Sequence, residues 1–174
     1  MSEKILITGG AGYIGSHIAH FFLEKLNKNI VIVDNLSNGY KKFIPKAKKV
    51  QFYKYDLKNK KNLQKLFNEN NITDVFHLAG SISVEEGEKK PEKYFTNNFN
   101  STVNLVNVCI ENNVKNFFFS STCAVYNLKK YKKVSEKTQL KPSNIYAKSK
   151  LKCEKYILRK FKNKKTNIAI LRYF

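Results

Sequence analysis

Arginine is nearly absent from this chain of 174 residues: of thirty-three basic side chains, only Arg159 and Arg172 carry a guanidinium. Arg is the preferred bidentate reader of phosphate and guanine. A formal charge of +20 attracts polyanions non-specifically. Carried by dispersed Lys in a chain also rich in Asn, it reads as a solvated surface, and no specific nucleic-acid partner is expected. Cysteine is scarce as well. Cys109, Cys123 and Cys153 are odd in number and lack C-x-x-C spacing, so neither a disulfide framework nor a zinc site is indicated. They fit reduced thiols, and a cytoplasmic location is expected. No apolar run is long enough to span a membrane, so no membrane partner is expected. A strand already under way at Ile5 leaves no room for a signal peptide. No pair of carboxylates and no His/Cys cluster suggests hydrolytic or metal chemistry, so no metal is expected. What is present, 42% hydrophobic residues with thirteen Phe, suffices for the core of one folded domain.

The glycines are few, but they gather. Residues 5–17 read Ile-Leu-Ile-Thr-Gly-Gly-Ala-Gly-Tyr-Ile-Gly-Ser-His, a short buried strand breaking into a turn. Residues 13–26 then carry apolar side chains at helical spacing. Gly9, Gly12 and Gly15 stand three apart, and Gly10, Gly12 and Gly15 also satisfy G-x-G-x-x-G. Such a strand-to-helix turn lets a dinucleotide pyrophosphate rest on the helix N-terminus, with one glycine for the turn, one for close backbone approach and one for helix–strand packing. A second strand over 30–33 ends in Asp34, nineteen residues after Gly15. A carboxylate there can accept hydrogen bonds from the adenosine ribose hydroxyls and repels a 2′-phosphate. No Arg follows it, and Lys41 and Lys42 read as solvated surface. NAD is expected rather than NADP.

Strand-like runs alternate with helix-like ones along the chain. Further strands are expected at 50–55, 74–79, 116–121 and 167–171, and helices at 62–68, 91–112 and 144–161. That alternation implies an α/β fold, a doubly wound parallel sheet with strand order 3-2-1-4-5-6.

Tyr146 and Lys150 lie four apart on the last of these helices, one above the other on the same face. A neighbouring ammonium favours phenolate and would lower the phenol pKa toward the working pH. Tyr146 could then take a proton from a sugar hydroxyl while hydride leaves the adjacent carbon. Tyr156 and Lys160 share the spacing and serve as an internal control. Ser120-Ser121-Thr122 ends the fifth strand, at the sheet edge where α/β folds carry ligands. His77 reads as a satisfied buried histidine and Cys123 as small packing beside the site.

The stretches Thr8-Gly-Gly-Ala-Gly-Tyr-Ile-Gly-Ser-His17, Asp34-Asn-Leu-Ser-Asn-Gly39, Asp56-Leu57, His77-Leu-Ala-Gly80, Tyr94-Phe-Thr-Asn-Asn98, Phe119-Ser-Ser-Thr-Cys-Ala-Val-Tyr126, Tyr146-x-x-x-Lys150 and Leu171-Arg-Tyr-Phe174 follow in order. Together they resemble the extended short-chain dehydrogenase/reductase superfamily, its NAD-dependent epimerase/dehydratase branch, and within it the UDP-glucose 4-epimerases. The resemblance implies that NAD is held by Tyr13, Ile14, Asp34, Asn35, Leu36, Ser37, Asn38, Gly39, Asp56, Leu57, Leu78, Ala79, Gly80 and Asn97, with Tyr146 and Lys150 also reaching it. It implies a catalytic triad of Thr122, Tyr146 and Lys150, with Phe174 near the nicotinamide.

The implied reaction interconverts UDP-glucose and UDP-galactose through transient oxidation at C4, rotation of the ketosugar and hydride return. Sugar-nucleotide 4,6-dehydratases carry an Asp-Glu pair after the active-site Thr, and here Cys123-Ala124 follows Thr122. The alternative is a non-catalytic dinucleotide-binding module or an inactive truncated remnant: the intact Thr122/Tyr146/Lys150 set argues against it, and the short length argues for it. A homodimer through the helices near 91–112 and 144–161 is a further expectation. The chain departs from the family at Ile82, where Lys is common, and at Asn127, where Gly is usual. It is also much shorter. The expectation is therefore an N-terminal fragment, with one NAD-binding Rossmann domain over 1–174 and the C-terminal substrate domain missing. The 174 residues alone are not expected to interconvert the sugars.

Overall fold

Strict alternation of apolar side chains on short strands sends successive residues to opposite faces, and here both faces are apolar. The computed structural model describes residues 2–126 and 133–174; Asn127 lies outside them. In chain order the elements are β1 (Lys4–Thr8), α1 (Tyr13–Glu24), β2 (Asn29–Val33), β3 (Val50–Tyr53), α2 (Lys60–Glu69), β4 (Ile72–His77), α3 (Val84–Lys89), α4 (Pro91–Tyr94), a π-helical stretch (Phe95–Asn100), α5 (Ser101–Glu111), β5 (Asn116–Thr122), α6 (Ile145–Phe161) and β6 (Asn167–Tyr173). All strand pairs are parallel, in the order β3-β2-β1-β4-β5-β6. That is the doubly wound order anticipated above.

The three consecutive Phe of β5 illustrate the two faces. Phe117 and Phe119 are buried with Leu6, Val75, Leu105 and Ile157, on the side covered by α2, α5 and α6. Phe118 points the other way and stacks on Phe76, ring centroids 4.3 Å apart. Ile5, Ile7, Ile30 and Ile32 form the core of that second side, together with Ala19 of α1. Amphipathic α2 shows the same logic at helical period. Leu63, Leu66 and Phe67 are buried, each contributing about 1.5–3 kcal/mol, and the Asn59 side chain caps the helix by accepting from the Asn62 amide.

Most element ends shift by one or two residues from the sequence reading, β4 for example running Ile72–His77 rather than 74–79, and three differences are larger. The third strand stops at Tyr53, and Tyr55 has turned to pack against the core. The single helix expected over 91–112 is α4, a π-helical stretch and α5 in succession. Helix α3 was not foreseen; Ser83 caps it by accepting from the Glu86 amide. Among the described residues no helix is long and apolar enough to cross a membrane. The three cysteines are free thiols.

Candidate functional site

The C-terminal ends of the parallel strands open into one cleft of about 550 Å³, within the size range of small-molecule sites. Its floor is the turn between β1 and α1. Gly9 has φ +73°, a left-handed conformation suited to glycine. A Cβ on Gly15 would fall 2.3 Å from the Gly9 carbonyl oxygen, so α1 approaches β1 as closely as it does only without a side chain there. Helix α1 begins with no side-chain cap, and its first amides form an N-terminus suited to an anion. Gly15→Val is expected to abolish dinucleotide binding and to destabilise the fold by several kcal/mol, of the order seen for overpacking against rigid backbone, about 1–3 kcal/mol or more. Urea denaturation and cofactor titration of the variant check this.

Asp34 stands at the end of β2 and is buried. Its Oδ2 accepts from the Ala11 amide at 3.0 Å and its Oδ1 from the Leu36 amide at 2.8 Å. The carboxylate therefore braces the loop after β2 against the glycine turn, and each oxygen keeps a second lone pair. The Tyr40 amide closes the same contact on the Ala11 carbonyl. Asn35 reaches Asp56 across the cleft at 3.4 Å.

A buried polar chain supports the floor from below. Thr102 donates to the Asn98 carbonyl at 2.6 Å, so its oxygen accepts from His77 Nε2 at 2.9 Å. His77 Nδ1 is then left to accept from the Thr8 hydroxyl at 2.8 Å. His77 is thus a neutral, fully bonded histidine. Burial, and secondarily the Lys150 charge, push its pKa down to about 3. Asn98 fastens the β4 loop to α6: its Oδ1 accepts from the Ser81 amide, and its Nδ2 donates to the Ser81 carbonyl and the Ser149 hydroxyl. Asn97, its neighbour on the π-helical stretch, lines the cleft.

At the far end, three consecutive residues of β5 each engage α6. The Ser120 carbonyl accepts from Lys150 Nζ at 2.7 Å. The Ser121 hydroxyl donates to Glu154 Oε1. The Thr122 oxygen accepts from the Ala124 amide at 3.2 Å, and its side chain lies beside the Tyr146 phenol, whose pKa it pulls down. Lys150 is buried under the Phe119 ring, 5.0 Å from its centroid, and burial pushes its pKa down to about 8, against opposing pulls from Cys153 and Glu154. The Tyr146 phenol runs against expectation. Burial raises its pKa, Thr122 opposes that, and the Lys150 ammonium donates to the Ser120 carbonyl.

The cleft is lined by Gly9, Gly12, Tyr13, Ile14, Gly15, Asp34, Asn35, Ser37, Asn38, Gly39, Asp56, Leu57, Leu78, Ala79, Gly80, Asn97, Thr122, Tyr146 and Lys150. Two residues singled out from the sequence stand elsewhere. Leu36 takes a left-handed φ of 61° and turns its side chain into the core with Ile5 and Ile32. Phe174 is 86% exposed, and Tyr173 lines the cleft in its stead. The control pair is also outside: the Tyr156 hydroxyl donates to Asn107 at 3.0 Å, in the contact between α6 and α5. The sequence reading missed Ser81, Asn98 and Glu154; a signal for the last was its place four residues after Lys150. Among the described residues no cluster could hold a metal ion.

Residues 5–174 match the family model described as the NAD dependent epimerase/dehydratase family. A UDP-glucose 4-epimerase of Dictyostelium discoideum is 36% identical over 181 residues, covering 100% of this chain and 52% of that protein. The UDP-Glc/GlcNAc 4-epimerase of Campylobacter jejuni superposes with a TM-score of 0.94 at 39% identity, covering 99% of this chain and 54% of the other. The UDP-glucose 4-epimerase of Thermus thermophilus in complex with NAD gives 0.91 at 30%, covering 98% and 54%. The chain spans about half the length of the curated relatives it matches. The family match over nearly every residue, on a sheet with this order and this cleft, leads to one conclusion: the chain belongs to the NAD dependent epimerase/dehydratase family.

Proposed function

We propose that the chain supplies the cofactor-binding and acid–base half of an NAD-dependent UDP-hexose 4-epimerase, acting on UDP-glucose and UDP-galactose. The observation that carries this reading is a single cleft holding the glycine turn and Asp34 at one end and Thr122, Tyr146 and Lys150 at the other. The residues present fit a dinucleotide. The glycine floor offers backbone where a Cβ would intrude, and the uncapped start of α1 suits a pyrophosphate. Asp34 retains acceptor capacity for ribose hydroxyls, and Asn97 stands on the opposite wall.

The chemistry NAD supplies when bound is reversible removal of the hydride at the sugar C4. Burial favours the neutral phenol of Tyr146. As phenolate, which a cationic nicotinamide would favour, it takes the proton of the C4 hydroxyl and later returns it. With the hydride also returned, the cycle is redox-neutral and consumes no acid or base. Thr122, beside the phenol, favours its ionised form. Lys150, charged below about pH 8, supplies a buried positive charge to the same site. No carboxylate follows Thr122, where Cys123 and Ala124 form the next turn, so elimination at C5–C6 lacks its acid and base. Formation of UDP-glucose from UDP-galactose, read by a coupled dehydrogenase, tests the assignment in an enzyme whose first half is this chain. No formation above background with NAD bound would remove the epimerase reading.

NAD is expected to bind at least about tenfold more tightly than NADP, a difference near 1.4 kcal/mol, because the Asp34 carboxylate faces the 2′-phosphate. The nearby ammonium groups do not compensate: Lys42 lies over the rings of Tyr40 and Phe43 and Lys41 over Phe52. Calorimetric titration with both cofactors decides it, and equal or tighter NADP binding would sink the role given to Asp34.

A further inference from the structure

We propose that Glu154 is a positioning residue for the Thr122, Tyr146 and Lys150 group, clamping the end of β5 and β6 to α6 and keeping a buried negative charge near Lys150. The proposal rests on the reading of those three residues as the acid–base group.

Glu154 is 1% exposed and lies one turn beyond Lys150 on α6, on the same face of the helix. Three bonds converge on its carboxylate from the two strands that flank the site. From β5 the Ser121 hydroxyl donates to Oε1. From β6 Arg172 donates in a fork, Nε to Oε1 at 3.0 Å and Nη2 to Oε2 at 2.7 Å. The remaining arm of Arg172 donates to the Tyr126 hydroxyl at 2.6 Å, just beyond the Cys123–Val125 turn. The carboxylate therefore ties α6, β5, β6 and that turn together at the level of the site. Ser121 sits between Ser120, which holds Lys150, and Thr122, which lies beside Tyr146. Releasing it would loosen both neighbours.

The charges make the same case. Lys150 is 3% exposed, and one turn further along α6 Glu154 is paired with the Arg172 guanidinium. A buried cation persists only with compensation. Glu154 is the one buried carboxylate in this cluster; its negative charge favours the charged form of Lys150, and burial opposes it. The other titratable groups facing Lys150 are His77 from β4 and Cys153 from α6. His77 is neutral by its bonding, and burial pushes the Cys153 thiol up, so neither replaces the carboxylate. Ser120 and Phe119 of β5 offer only a carbonyl and a ring face.

The test reads Lys150 directly in the 174-residue chain, with no substrate or cofactor added. Carbon-13 labelled lysine gives ε-methylene resonances, and Lys150→Met identifies the one that titrates near 8. In Glu154→Gln, which keeps the shape and removes the charge, that midpoint is expected to fall by about one unit or more. The single variant leaves Arg172 unpaired, so Glu154→Gln/Arg172→Gln is measured beside it as the variant better able to fold. In the double variant the loss of the Arg172 charge opposes the loss of the nearer carboxylate, so a smaller fall is expected. A folded variant, single or double, whose Lys150 titrates as in the parent would overturn the proposal and leave Glu154 a structural clamp only. Failure of the parent chain to bind NAD would instead defeat the functional reading, and it leaves the Lys150 measurement intact.

Discussion

Tyr146→Phe is expected to lower turnover about 10²–10⁴-fold in an enzyme whose first half is this chain, the usual cost of losing a positioned acid–base group. NAD affinity is expected to change little, because the ring still packs on the wall of the cleft and only the phenol oxygen is lost. The loss is expected on the chemical step because, in the proposed mechanism, that oxygen exchanges the proton of the reacting hydroxyl. Tyr156→Phe is the matched control. Its hydroxyl donates to Asn107, away from the cleft, so the change is expected to cost about 1 kcal/mol of stability and none of the turnover. A coupled assay on both variants, with calorimetry for NAD, separates the two cases. Parent-like turnover in Tyr146→Phe would move the acid–base role to another group.

Acid is expected to destabilise the protein already between pH 6.5 and 4, before most of its carboxylates titrate, and His77 is the cause. The folded pKa is about 3 against an ordinary value of 6.5, so between these values the unfolded chain binds a proton that the folded one refuses. Stability is therefore fully present above pH 6.5 and is lost as pH falls through this window. The loss is about 3 kcal/mol by pH 4 and roughly 5 kcal/mol across the whole window, against a total of about 5–15 kcal/mol for a typical domain. Burial supplies most of the shift and the Lys150 charge the rest. His77→Gln can still accept from Thr8 and donate to Thr102 but does not titrate. Urea unfolding at pH 7 and pH 4 is expected to show a steep loss in the parent chain and a shallower one in the variant, whatever its stability at pH 7. An unchanged slope would assign the acid sensitivity elsewhere. Lys150 acts in a separate window. Its folded pKa of about 8 lies below its ordinary 10.5, so stability rises as pH climbs from 8 toward 10.5.

Local patterns made much of this molecule legible. The glycine turn, the acidic residue ending β2 and the alternation of apolar strands with helices led to the observed strand order, because each depends on local sterics and side-chain period. The β5 Phe run worked for the same reason: residues two apart share a face, so Phe117 and Phe119 go together and Phe118 goes opposite. His77 read correctly as a satisfied histidine, although its partners came from three distant elements, Thr8, Thr102 and, through it, Asn98.

Long-range packing decided the rest. Two Tyr-x-x-x-Lys pairs sit on α6, and only the fold places Tyr146 in the cleft while burying Tyr156 against α5. Leu36 looked like its loop neighbours, yet the Asp34 carboxylate turns its backbone left-handed and sends its side chain into the core. The phenol pKa followed burial rather than the nearby ammonium, because the Ser120 carbonyl holds that ammonium. Glu154 and Arg172, eighteen residues apart, meet only because β6 lies beside β5 under α6. Sequence by itself determined what is set by backbone sterics and side-chain period: the turn, the strands and their order. Tertiary structure alone decided which charges are buried together, since desolvation and counter-charge depend on neighbours that no local spacing records.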